Sequence, residues 1–229
     1  MEIYKSSKSR LRLVMTLDTL KILGHEIAKT NWDTMNKQVV WAASCLAFFG
    51  SCRIGEILSP VIDNFDPKTT LLWGDMKNVN NGWIIHIKSP KSRIEGGEYL
   101  DIFEFKGHQC CPVKAIQQLQ KMSQYSNSKE NPVFMFKNGS LLTKNIFNEK
   151  VRNLLKGPLG EAGKNFSGHS FRAGIPSALA KYPELVSDNH IMGWGRWGSA
   201  AYISYTRLKN DQKRKIFGKI SVVLNNSVL

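Results

Sequence analysis

A chain of 229 residues with 42% hydrophobic content is long enough for one substantial domain and too short for two comfortable ones. Its formal charge of +14, with lysine and arginine spread over the whole length, points to a polyanionic partner, nucleic acid before a membrane surface. No stretch approaches the roughly 20 apolar residues of a membrane span, and the leader MEIYKSSKSR has no apolar run after its charges, so a soluble protein in a reducing compartment is expected.

In chain order, residues 1–15 read as a basic leader or linker remnant. Leu17, Leu20, Leu23 and Ile27 then recur at helical spacing behind Thr16, predicting a capped amphipathic helix to Ala28. A second helix follows Asp33 through Val39, Val40, Ala42, Leu46 and Phe49; Gly50 suits a left-handed stop. Apolar on most faces, it is the expected core helix. The period changes at Thr69–Trp73, Gly82–Lys88 and Glu98–Phe103, three β-rich runs separated by turn residues. They predict a small three-stranded antiparallel sheet. Pro112 opens another helix, Thr143 caps one reaching Leu155, and short helices follow Gly163, broken by Pro183 and the glycines from Gly193 to Gly198. The fold class expected is α+β, mostly helical, in a single domain.

Cys45, Cys52, Cys110 and Cys111 form no disulfide framework. His108, Cys110 and Cys111 gather soft ligands, but no second pair at zinc-finger spacing closes a tetrahedral site, so these thiols are expected to be buried and no metal is expected.

Three segments carry chemistry. In Ser51-Cys52-Arg53-Ile54-Gly55-Glu56, the Arg and Glu stand three apart, as neighbours on one helical face, so that Glu56 can hold an Arg53 fork suited to two phosphate oxygens. Taken alone, a surface ion pair explains the same letters. In Gly168-His169-Ser170-Phe171-Arg172, a proton handler and a permanent cation share a helical face, which suits acid–base work on a phosphate. The third, Gly193-Trp194-Gly195-Arg196-Trp197-Gly198 on to Tyr202 and Tyr205, has no following Lys-Ser/Thr and no preceding strand, so it is no nucleotide-binding loop.

Taken in order, these segments resemble the tyrosine recombinase (phage integrase) family over residues 16–207. The family's catalytic domain reads Arg-x-x-Glu after a long helix, a Lys in a β-hairpin turn, His-x-x-Arg, a His or Trp, then the nucleophilic Tyr. Here those places are filled by Arg53 and Glu56, Lys91, His169 and Arg172, Trp197, and Tyr205. The wording "FFGSCRIGEIL", "HSFRAG" and "GRWGSAAYISYTR" looks most like recombinases of Crypton and DIRS mobile elements. Tyr202 is the alternative nucleophile, since Trp194 precedes it by the interval that separates Trp197 from Tyr205; the Gly-Arg-Trp register favours Tyr205. Lys91 is preferred to Lys88 because it lies in the turn and Lys88 ends the strand.

The resemblance implies attack by Tyr205 on a phosphodiester, leaving a 3′-phosphotyrosyl link and a free 5′-hydroxyl. Arg53 and Arg172 would hold the phosphate oxygens, Lys91 protonate the leaving oxygen, His169 bond the phosphate or take the tyrosine proton, and Trp197 donate its indole N–H. Glu56 would orient the arginine, and neither metal nor cofactor is implied. Double-stranded DNA is the implied partner, bound by a homo-tetramer on paired sites, in the nucleus for a eukaryotic element and otherwise in the cytoplasm. Type IB topoisomerases share this residue set, and a catalytically silent DNA-binding module would share the fold. Residues 208–229, basic then apolar, suit either a helix passed to a neighbouring protomer or one folded back on its own domain. Most family members carry an N-terminal core-binding domain, so the chain is expected to be a fragment.

Overall fold

In a computed structural model of the chain, which describes residues 13–88, 96–179, 181, 182, 184–196 and 217–222, helix α1 spans Leu17–Lys29. It starts where expected, the Thr16 hydroxyl accepting the Thr19 N–H at 3.1 Å. Helix α2 (Thr34–Phe49) is capped by Asp33, which accepts the Met35 N–H at 2.9 Å. From Val39 to Phe49 nearly every side chain is buried, because α1, α4 (Pro112–Met122), α6 (Gly168–Arg172) and α7 (Gly174–Leu179) pack around it. Each fully buried Val, Leu or Phe contributes about 1.5–3 kcal/mol, so α2 is the axis of the core.

Gly50 does not take the left-handed stop. It stays in the right-handed region at φ −84°, and Ser51 takes the positive φ of 45° instead. The reversal leads into a one-turn helix, α3 (Ile54–Ile57), and buries Cys52.

The sheet is antiparallel in the order β1 (Met76–Val79), β2 (Gly82–Ile87), β3 (Glu98–Phe103). The second and third strands fall where the β-rich runs placed them; the first does not. Thr70 is tied back to the Asp66 carbonyl, and Trp73–Asp75 form a short 3-10 turn whose Asp75 carboxylate accepts the Leu72 N–H at 2.7 Å. The true strand is set by the two-residue turn Asn80-Asn81, with Asn81 at φ 62°, which pairs Val79 with Gly82 and Met76 with Ile85. A tight hairpin takes the residues directly before its turn, whatever their β-propensity.

Pro112 opens α4 as predicted. Thr143 caps α5 (Lys144–Leu159), which continues beyond Leu155 with Pro158 in its last turn. Helix α8 spans Asp188–Gly195. Residues 217–222 are helical, and Phe217 and Ile220 are buried; Phe217 lies against Phe103, Phe105 and Trp194 of the same chain. No helix among the described residues is long and apolar enough to cross a membrane.

The four cysteines are free and buried, as expected. Cys111 Sγ accepts the Phe105 N–H at 3.3 Å, His108 Nδ1 accepts the Cys110 N–H at 3.0 Å, and burial pushes the Cys110 thiol up to about 12. These contacts tie the His108–Cys111 segment to Phe105.

Candidate active site: an arginine cluster around one buried carboxylate

The site forms because α6 lies almost on α3. A Cβ at Gly168 would stand 2.5 Å from Ile54 Cβ, a separation only glycine permits. Gly174 does the same one turn beyond, where a Cβ would meet the Phe48 ring at 2.4 Å and the Met15 carbonyl at 2.8 Å. The Asn148 side chain, from α5, accepts the Gly168 N–H at 2.8 Å, and Met15 N–H donates to the Ser170 carbonyl at 2.9 Å. These contacts place the His169–Arg172 helix beside Arg53 and Glu56.

Arg53 is not on the face of α3. It is the extended residue just before the helix, and Glu56 reaches back to it: Oε2 accepts the Arg53 N–H at 2.9 Å and Oε1 accepts Nη1 at 2.8 Å. The Glu56 side chain is 3% exposed, against 34% for Arg53. This is a buried carboxylate presenting a half-exposed guanidinium, not a surface ion pair.

Arg172 is 3% exposed. Its Nη1 donates to the Ser51 carbonyl at 2.8 Å and its Nη2 to the Gly195 carbonyl at 2.6 Å, so its plane is fixed between the end of α2 and the end of α8. Burial, then the charges of Arg53 and Arg196, hold its pKa down to about 10, so it remains cationic at neutral pH in a field that favours an anion. His169, on the same short helix, is exposed. The shared spacing therefore does not give the two side chains one environment: the imidazole faces outward and the guanidinium inward.

The motifs missed Arg196. Its Nη2 donates to Glu56 Oε2 at 2.6 Å and its Nη1 to Glu98 Oε2 at 3.4 Å, so Glu56 is shared between two arginines. Burial pushes the Glu56 carboxyl up, but Arg196 and Arg53 outweigh it and hold the pKa below the ordinary 4.5. The only sequence signal for Arg196 was its place between glycine and tryptophan, which says nothing of burial. Among the described residues, Arg53, Arg172 and Arg196 stand around the site against Glu56 and Glu98, an excess of positive charge.

Lys88 Nζ donates to the Pro67 carbonyl at 2.6 Å and pairs with Asp75 at 2.6 Å. Trp194 donates its indole N–H to the Phe49 carbonyl at 3.2 Å and stacks on Phe217. Lys91, Trp197, Tyr202 and Tyr205 lie outside the described residues. No group of metal-ligating side chains occurs among the described residues.

This arrangement of helices around one antiparallel sheet has counterparts among solved structures. FLP recombinase in a Holliday junction complex matches 95% of this chain at TM-score 0.58 and 15% identity, over 50% of its own length. XerH site-specific recombinase, in a pre-cleavage complex with its difH substrate, matches 94% at TM-score 0.51 and 15% identity, over 56% of its length. The fold is that of the tyrosine recombinase catalytic domain. XerA recombinase matches it too, over 95% of this chain and 66% of its own, at TM-score 0.51 and 15% identity. The chain spans about half to two thirds of these recombinases. No family model matches the sequence, and no curated protein matches it.

Proposed function

We propose that this chain is a site-specific DNA recombinase or integrase that cleaves and rejoins double-stranded DNA through a 3′-phosphotyrosyl intermediate. The observation that carries this reading is the convergence of Arg53 and Arg172 from distant segments, with Glu56 orienting one of them, in a cluster where cations outnumber carboxylates. Such a cluster binds a phosphate and stabilises the charge that gathers on its oxygens in transfer.

Tyr205 Oη attacks phosphorus and the bond to the 5′-oxygen breaks. Lys91 supplies the proton to that oxygen, while His169 bonds the phosphate or takes the tyrosine proton. The exposure of His169 supports this role, since a buried imidazole could not reach a bound backbone. The Lys88 ammonium is engaged with Asp75 and Pro67, which supports Lys91. The Trp194 indole is engaged with Phe49, which supports Trp197 as the phosphate donor and hence the Tyr205 register. Religation by a 5′-hydroxyl of a second duplex completes recombination. In this reading the protein works as a tetramer on paired sites, belongs to a Crypton- or DIRS-like mobile element and acts in the nucleus of its host.

The test uses a pool of duplexes of randomised sequence, nicked at varied positions so that the short leaving strand diffuses away. The expected result is covalent protein–DNA adduct, mapping to Tyr205 and abolished by Tyr205→Phe. An adduct on Tyr202 would move the nucleophile. Binding with no adduct would favour the silent module, and relaxation of plasmids of any sequence by a monomer would favour a topoisomerase.

A further inference from the structure

Arg196 is out of keeping with its place in the chain. It ends α8 in the left-handed region, at φ 52° and ψ 43°, where helices ordinarily carry glycine and where another residue costs about 1–3 kcal/mol. Its side chain is 8% exposed, and its Nε–H is buried with no acceptor among the described residues. Burying a guanidinium is itself costly unless the partners are well placed. They are: Glu56 at 2.6 Å and Glu98 at 3.4 Å.

Four parts of the proposed site meet at this residue. Glu56 holds Arg53. Glu98 begins β3 and pairs with Ile87, and the stretch of sequence between these two residues includes Lys91. The Gly195 and Arg196 carbonyls accept Arg172 Nη2, at 2.6 and 3.4 Å. The segment that ends at Tyr205 starts at the very next residue.

We infer that Arg196 is a positioning residue for strand cleavage, its guanidinium tying Glu56 to Glu98 and so setting Arg53, the start of β3 and Arg172 in one register. The inference rests on the recombinase reading. Its cause is geometric: one rigid fork reaches two carboxylates that belong to different elements, and the carbonyls of Gly195 and Arg196 accept the Arg172 guanidinium from α6.

Among the described residues, the charged and titratable groups facing Glu56 are Arg53 and Cys52 from the α2–α3 connection, Arg172 from α6, Arg196 from the end of α8, and Glu98 from β3. Burial drives Glu56 toward its neutral form, and Arg196 is the strongest influence against that. Without Arg196 the carboxyl takes up a proton at a higher pH, and Arg53 loses its hold there.

Arg196→Gly removes the guanidinium while suiting the left-handed backbone, so it adds no backbone strain of its own. Single-turnover adduct formation is measured against pH on duplexes recovered from the nicked pool with the wild-type protein. Arg196→Gly should cleave about 10²-fold more slowly at neutral pH, the order expected when reacting groups shift by about 1 Å. Its rate should also fall, on the acid side, at a higher pH than the wild type's. Arg196→Lys should move that acid limb part of the way back. Glu98→Gln, which keeps the Glu56 pair, should slow cleavage less than Arg196→Gly and leave the acid limb close to the wild type's; it provides the comparison if Arg196→Gly is poorly folded by urea titration. Wild-type rate and pH profile in both Arg196→Gly and Glu98→Gln would overturn the inference, as would a loss that is uniform over pH and tracks the unfolded fraction. Adduct from the wild type with no effect in the variants fails this inference alone; no adduct from the wild type fails the recombinase reading and this inference with it.

Discussion

Two carboxylates hold cations in this molecule, with opposite consequences. Asp75, at the edge of the sheet, pairs with the Lys88 ammonium at 2.6 Å and accepts the Leu72 N–H at 2.7 Å; His86 stands 3.9 Å away. One anion meets one fixed cation, and the lysine's reach is used up between Asp75 and the Pro67 carbonyl. Glu56, nearly sealed from solvent, faces Arg53 and Arg196, with Arg172 beside them. There, among the described residues, the cations outnumber the carboxylates even when Glu98 is included. A balanced pair closes a structure; an unbalanced cluster leaves positive potential for an anion to complete. Lysines and arginines that brace the fold are thereby set apart from those of the proposed phosphate site, although composition treats them alike.

The strongest way to break this contrast is to truncate the cluster's arginines. Arg53→Ala and Arg172→Ala should each lower single-turnover adduct formation by about 10²–10³-fold, the cost of removing one preorganised donor from a developing oxyanion. They should differ in stability. Arg172→Ala leaves the Ser51 and Gly195 carbonyls without their donor, at about 1–3 kcal/mol for each buried group, whereas Arg53→Ala removes a half-exposed side chain. Urea denaturation separates the two.

Glu56→Ala comes next. It breaks a buried pair and strands Arg196, so a loss of about 3–5 kcal/mol is expected in the same measurement. The pH dependence sharpens it. A carboxyl with a depressed folded pKa adds stability that is present above its unfolded value and lost as pH falls through the folded one. Wild-type stability should therefore decline below about pH 4.5, and Glu56→Gln should lack that component.

Gly168→Ala tests the close approach that builds the cluster. Its Cβ meets Ile54 Cβ at 2.5 Å, so α6 must move from α3, at about 1–3 kcal/mol, and cleavage should slow because Arg172 moves with it. The smallest effect belongs to the balanced pair. Lys88→Ala should cost about 1 kcal/mol or less and leave the cleavage rate near the wild type's, while Lys91→Ala removes the proposed acid. A large catalytic loss in Lys88→Ala would end the distinction drawn between the two carboxylates.

Much of this was legible in the letters. Thr16, Asp33, Pro112 and Thr143 marked helix starts because capping is local chemistry, decided within three or four residues. The unbroken apolar run of α2 announced the core axis, and Arg53, Glu56, His169 and Arg172 stood out by residue type and interval. The first strand was misplaced by a few residues, because an Asn-Asn turn outranked a Thr-rich run.

What the sequence by itself determined, then, was the inventory: helical caps, a β-rich centre, a basic surplus and the polar residues of the proposed phosphate site. Tertiary structure alone decided their environments. Equal spacing gave His169 an exposed position and Arg172 a buried one, and Arg53 and Glu56 became a reach-back pair outside the helix face. Arg196, with no cap or period to announce it, became the buried link between Glu56 and Glu98. Caps and periods are short-range and can be read in order; burial and charge balance depend on which distant segments the fold presses together.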